Sequence, residues 1–296
     1  MKITFLGTSC MVPTKERNHP GFLLDYKTHG ILFDCGEGIQ RQFKIAKIKP
    51  TKVNKILISH WHGDHVLGLP GILSTLSSSN YEGTIELYGP KGTKNHYEYM
   101  LKAFTNKIEM NIKIIEVSNG IIFENDDFFL ESYELEHGTP TVGFRFIEKD
   151  RLRINTAKAK KIGLTEGPLM GQLQKGENIT FNGEEINYKD ITYIVEGKKI
   201  SYISDTIFCK NTLKIAKDAD ILICESTYHS DQENKAEEYN HLTSFQAATI
   251  ASKSNVQKLV LTHFSQRYKN IDEILKDAKQ IFSDTVCAYD FMTIKF

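Results

Sequence analysis

The chain has 296 residues, 37 basic and 37 acidic, so with histidine neutral its net charge is zero and any argument for nucleic acid must come from local patches. Its five cysteines (Cys10, Cys35, Cys209, Cys224 and Cys287) are scattered and form no CxxC pair, which argues against a disulfide framework and for a reducing compartment. No apolar run approaches the roughly eighteen residues of a membrane span, and Met1–Gly7 reads as a strand rather than a signal peptide, so a cytoplasmic protein is expected.

Short apolar runs between turn-forming pairs predict strands at 2–6, 21–26, 30–34, 55–59 and 85–89, with helices at 37–47, 66–77 and 91–104. Further strands are expected at 113–117, 128–135, 141–147, 191–195, 199–204, 220–224, 257–262 and 285–295, and helices at 210–217, 243–253 and 271–282. Strands interleaved with helices fit a layered α/β arrangement. From 149 to 188 the rhythm breaks into a polar, glycine-rich insertion, the kind of long segment that is usually functional or disordered. It opens on six basic residues (Lys149, Arg151, Arg153, Lys158, Lys160, Lys161) against Asp150 alone, and a second basic run holds Arg41, Lys44, Lys47, Lys49, Lys52 and Lys55. Two such patches in a chain of zero net charge point to a phosphate-bearing ligand.

The densest chemistry follows the strand that ends at Ser59. His60-Trp61-His62-Gly63-Asp64-His65 packs three of the ten histidines and an aspartate into six residues. On an extended strand end, His60 and His62 point the same way, whereas Asp64 and His65 cannot easily serve the same ion, so the motif reads as two half-sites for transition metals. His137, Asp205 and His263 each follow a predicted buried strand, as His60 does, and can converge with it at one rim of the sheets.

His-x-His-x-Asp-His after an apolar strand resembles the signature of the metallo-β-lactamase superfamily. The resemblance implies a single domain over 1–296 with an αββα four-layer sandwich fold, a metal site at one edge between the sheets, and hydrolytic activity. It also implies two Zn²⁺ ions, one held by His60, His62 and His137, the other by Asp64, His65 and His263, with Asp205 bridging. Mn²⁺ or Fe²⁺ can occupy such ligands too. His19, His29, His96 and His229 match no ligand of the superfamily.

Within the superfamily the chain is most similar to ribonuclease Z, which trims the 3′ trailer of precursor tRNA. Pro13-Thr14-Lys15-Glu16-Arg17-Asn18 resembles that family's Pro-x-Lys-x-Arg-Asn loop, Phe33–Gly38 with Gln40 its early motif, and His263-Phe264-Ser265-Gln266-Arg267-Tyr268 its C-terminal motif. Cys224-Glu225-Ser226-Thr227 and His241-Leu242-Thr243 stand where the family has His-Glu-Ala-Thr and His-Ser-Thr, with Cys224, Leu242 and Ile39 departing from the pattern. The resemblance implies Asp64, Glu225 and His241 as catalytic residues, Asp64 as base and a Glu225-supported His241 as acid. It implies substrate contacts from Lys15, Arg17, Asn18, Ser265 and Arg267, and a flexible arm over 149–188, marked by Gly167 and Pro168, that grips tRNA. Precursor tRNA is the implied partner, and a homodimer the implied assembly. A thioesterase or small-phosphodiester hydrolase would share the ligands but has no need of a basic arm. A structural zinc protein would favour cysteine ligands.

Overall fold

The computed structural model describes residues 1–105 and 108–296. The first half of the chain builds one sheet from β1 (Lys2–Gly7), β2 (Gly21–Tyr26), β3 (His29–Phe33), β4 (Val53–Leu57), β5 (Thr84–Gly89) and β6 (Asn111–Glu116). The chain then crosses to a second sheet with β7 (Gly120–Glu124), β8 (Phe128–His137) and β9 (Thr139–Glu148). A small protruding unit follows, made of β10 (Arg151–Ile154), β11 (Ile179–Phe181), β12 (Glu184–Ile186) and β13 (Thr192–Val195). The second sheet resumes with β14 (Lys199–Ile203), β15 (Ile221–Glu225), β16 (Lys258–Thr262) and β17 (Thr285–Cys287), and β18 (Thr293–Lys295) returns to the first. Each large sheet has seven strands, in the orders β18-β1-β2-β3-β4-β5-β6 and β17-β16-β15-β14-β9-β8-β7.

Strand alternation explains the layering. In β2, Phe22 and Leu24 face the second sheet while Leu23 faces outward; in β3, Ile31 and Phe33 face inward and Leu32 outward. The inner faces meet in an aromatic core, with Phe22 stacked on Phe33 at 4.5 Å and edge-on to Tyr202 at 5.1 Å. The outer face of the first sheet packs on the helices Ile39–Ile45, Leu69–Ser78 and Thr93–Lys102. That of the second packs on Lys210–Ala216, Ser244–Lys253 and Asp272–Lys279. The result is the four-layer αββα sandwich.

Two expectations are corrected. Residues 285–295 are not one strand: β17 pairs with β16 in the second sheet and β18 with β1 in the first. The break lies at Asp290, whose carboxylate accepts from Thr8 Oγ1, the Asn18 N–H and Gln42 Nε2 at 2.8–2.9 Å, while Phe291 adopts φ 70°. The insertion is not structureless either. Its stem is the β10–β13 pair, and Ala159, Leu164, Leu173, Ile179 and Ile191 bury a small core of their own beyond it. A few apolar residues spaced through a polar segment suffice for this, and composition alone hides them.

Candidate metal centre and active site

β14, β15 and β16 run parallel, so their C-terminal ends reach one rim of the second sheet, and there they deliver Asp205, Glu225 and His263. His137 ends β8 on the same rim. From the facing sheet, β4 runs on into His60, His62, Asp64 and His65. The predicted ligands therefore meet. His60, His62, His137 and Asp205 form one group and Asp64, His65 and His263 another, each with its ligand atoms within 4.8 Å of one another. Asp205 faces both: Oδ2 lies 3.6 Å from His60 Nε2 and 3.8 Å from His137 Nε2, and Oδ1 lies 3.5 Å from His65 Nε2 and 3.3 Å from His263 Nε2.

The surrounding hydrogen bonds decide which imidazole nitrogens are bare. Asp34 Oδ2 accepts from His65 Nδ1 at 2.8 Å, and the Asn240 carbonyl accepts from His137 Nδ1 at 2.8 Å. Ser59 Oγ donates to Asp34 at 2.9 Å and can thus accept from His60 Nδ1 at 3.0 Å. Thr227 Oγ1 donates to Glu225 at 2.7 Å and can accept from His263 Nδ1 at 2.9 Å. Each of these four rings so turns a lone pair at Nε2 toward the centre, the arrangement of metal-ligating histidines with outer partners. His60 Nε2 is buried and has no hydrogen-bond partner. His65 Nε2 and His263 Nε2 stand 3.3 Å apart, two ring nitrogens facing one point. A divalent cation answers both observations, and the donor set fits one.

Charge balance agrees. Burial pulls His65 down, but Asp205, Asp64 and Asp34 together hold it well above its ordinary value. Burial would raise Asp205 and Asp64, yet the facing histidines keep both carboxyls below the usual range: His263, His65 and His60 for Asp205, His65 and His263 for Asp64. The site is rich in negative charge and calls for cations. Backbone strain is present here as well. Asp34 at φ 52° and His263 at φ 61° both occupy the left-handed region, which costs about 1–2 kcal/mol for a residue with a Cβ.

Beside the ligands, Glu225 is fully buried; its Oε1 accepts from the Thr206 N–H at 3.0 Å and from His241 Nδ1 at 3.1 Å. Burial pulls the His241 imidazole down, but the Glu225 carboxylate outweighs it and raises the group to about 9. Asp64 and His241 line one cleft of about 600 Å³. Asp64 Oδ2 accepts from the Met11 N–H at 2.9 Å, which fixes its rotamer.

The expected substrate contacts divide. Lys15 and Arg267 are exposed, and Arg267 Nε donates to Ser265 Oγ at 3.2 Å. Arg17 and Asn18 are instead spent on the protein. Arg17 is 8% exposed and its guanidinium donates to the carbonyls of Tyr268 and Ser265 at 2.8 and 3.4 Å. Asn18 Nδ2 donates to the Glu37 carbonyl at 2.8 Å. The basic run 41–55 is thinner than its sequence, because Lys55 is buried against Glu86 and Lys52 pairs with Asp25. In the protruding unit Lys158, Lys160 and Lys161 are exposed on the helix Thr156–Lys161, and Gly167 caps the exposed start of the helix Pro168–Gln174. Among the unassigned histidines, His96 stacks on Trp61 at 5.2 Å and His19 Nε2 meets the Met11 carbonyl at 2.9 Å. Sequence reasoning missed Asp34, Ser59, Tyr202 and Thr227, which orient ligands from behind. Tyr202 OH donates to Asp34 Oδ2 at 2.7 Å from 168 residues away, and no local pattern announces such a bond.

Comparison with known proteins places this arrangement. Residues 1–154 match the model of a family described as anti-Pycsar protein Apyc1; that stretch contains His137 and the first-sheet ligands but not Asp205, Glu225, His241 or His263. Over 296 residues the chain is 38% identical to the ribonuclease Z of Methanothermobacter thermautotrophicus, covering 100% of this chain and 96% of that protein. It is 38% identical to the ribonuclease Z of Bacillus cereus over 299 residues, covering 98% and 97%. The crystal structure of human tRNase Z, short form, superposes with a TM-score of 0.73 at 27% identity, covering 100% of this chain and 99% of that one.

Proposed function

The chain belongs to the ribonuclease Z family, and from that premise we propose a two-zinc endoribonuclease that removes the 3′ trailer of precursor tRNA, leaving a 3′-hydroxyl on the tRNA and a 5′-phosphate on the trailer. The observation that carries the reading is the Glu225–His241 pair set beside the Asp205 ligand groups, in the cleft that Asp64 also lines. His60, His62 and His137 would hold one ion, Asp64, His65 and His263 the other, with Asp205 shared. When bound, the ions would supply charge stabilisation at the phosphoryl oxygens and would acidify a water enough for it to react near neutral pH. Asp64, held by the Met11 N–H, orients that water and takes its proton. The water oxygen bonds to phosphorus as the bond from phosphorus to the 3′ oxygen breaks. His241 gives its proton to that departing oxygen, and Glu225 stabilises the imidazolium beforehand.

Substrate recognition would come from exposed lysines of the 149–188 arm and from Lys15 and Arg267, acting on phosphates and on shape rather than on base edges. Arg17 would act indirectly, by holding the Ser265–Tyr268 carbonyls that shape the loop of Arg267. The stem of only two short strands lets the arm stand clear of the sandwich, as it must if, in a homodimer, it serves the partner's site. The chain would work in the cytoplasm; no helix of the described residues is long and apolar enough to cross a membrane. The test is incubation of purified protein with a 3′-extended precursor tRNA, with and without chelator, followed by end analysis. A single cut giving the stated termini, abolished by chelation and restored by zinc, is expected. An intact precursor would refute the reading.

A further inference from the structure

Three consecutive residues bind the chemistry to one exposed ring. His241 carries the acid, the Asn240 carbonyl holds His137 Nδ1 at 2.8 Å, and Tyr239 stands beside them, 54% exposed. Their backbone is fixed: the N–H groups of Tyr239, Asn240 and His241 donate to the carbonyls of Lys235, Glu237 and Ala236, and Asn240 sits at φ 56°. Tyr239 therefore presents its ring from a rigid support into the cleft that Asp64, Asp205 and His241 line. Tyr228 lines the same cleft but is 7% exposed, with the Arg267 guanidinium 5.1 Å over its ring, so it has no face to offer. The same cleft is lined by Met11, 75% exposed, whose N–H meets Asp64, and by Leu67, 59% exposed. Large apolar side chains gathered in the open around a polar site mark a binding surface.

The occupant follows from the direction of the reaction, so the inference rests on the function proposed above. The nucleophile enters from the side of Asp64 and the 3′ oxygen departs toward His241. The ribose bearing that oxygen, and its base, must then lie on the His241 side. We propose that Tyr239 is the stacking platform for the last nucleobase retained by the tRNA, leaving the first trailer nucleoside to the Met11 and Leu67 lip. Stacking tolerates any base, because every base has a π face, and an unpaired 3′ terminal base is free to stack.

The test crosses protein and substrate. Single-turnover kcat/KM is measured for the zinc-loaded wild type, Tyr239→Ala and Tyr239→Phe on two precursors, one normal and one abasic at the last retained nucleotide. Tyr239→Ala should lose about 5- to 150-fold on the normal precursor, the range of one base–aromatic stack. It should lose almost nothing on the abasic one, and Tyr239→Phe should match wild type. Leu67→Ala should lose equally on both precursors. An equal loss from Tyr239→Ala on both precursors, or no loss on either, overturns the platform while leaving the enzyme's function standing. A wild type that cuts neither precursor overturns both.

Discussion

Replacing Glu225 by glutamine isolates the charge that prepares His241. The side chain is fully buried and shape is conserved, so the change removes one negative charge and little volume. Burial by itself would take His241 below its ordinary 6.5, and the Glu225 carboxylate carries it to about 9. In E225Q the imidazole keeps only the weaker lift from Asp205 against burial and should therefore fall toward its ordinary value. Near pH 7.5 a group with a pKa of 6.5 is only about one-tenth protonated, against nearly full protonation at 9, so kcat should drop about tenfold through protonation alone, about 1.4 kcal/mol. The sign is definite: an acid must be protonated, so activity declines as pH rises through its pKa, and E225Q should move that alkaline limb to lower pH. Bound cations pull the limb down in both proteins, which makes the displacement between them the quantity to measure. The glutamine amide must also set a donor against the Thr206 and His241 N–H groups or against Thr227, a buried mismatch of about 1–3 kcal/mol in stability. Metal content must accordingly be checked. The assay is a pH profile of single-turnover cleavage, run also on a precursor with sulfur in place of the bridging 3′ oxygen. A thiolate leaves without protonation, so that substrate should recover most of the E225Q loss. An alkaline limb that stays in place, or no recovery with sulfur, would refute His241 as the acid.

Other outcomes follow from neighbouring contacts. Asp34→Asn replaces the acceptor that fixes His65 Nδ1, and competition with a chelator should show metal affinity about 10- to 100-fold weaker. Asp64→Ala should abolish cleavage while leaving tRNA affinity by filter binding nearly intact; retention of cleavage within about tenfold, or about 1.4 kcal/mol, would remove Asp64 as base. Excising 155–191 at the β10–β13 stem should weaken precursor binding and flatten its salt dependence, because exposed lysines leave with the arm, while hydrolysis of a small phosphodiester persists.

Local chemistry was legible where it was dense. The six residues His60–His65 announced themselves. His137, Asp205 and His263 stand at the ends of expected strands, but position alone does not separate them from capping residues, and it was the resemblance to the superfamily that singled them out. The core strands were visible from their apolar runs: β2 and β5 are buried almost throughout. The edge strand β7 escaped notice because its apolar run, Ile121-Ile122-Phe123, is short and none of its residues is fully buried. Arg17 shows a different limit. A basic residue in a polar loop reads as a phosphate contact, and only the fold reveals that its guanidinium closes on two carbonyls some 250 residues away. Asp34 is the clearest case, since its four acceptor bonds come from Ser59, His65 and Tyr202, drawn from both sheets.

The seven ligands are shared between facing layers, four from the loop after β4 and three from β8, β14 and β16. Any ion bound there is a cross-brace between the two halves of the molecule, and its removal takes away the link between Asp64 and His65 on one side and Asp205 and His263 on the other. Binding of this kind stabilises the native state by mass action, about 2.7 kcal/mol for each site at a hundredfold excess over its dissociation constant. The stability of the protein should therefore rise with the free concentration of that ion. When the ion is scarce the halves should part more often at this rim, and cleavage by an added protease should speed up as a chelator removes the ion.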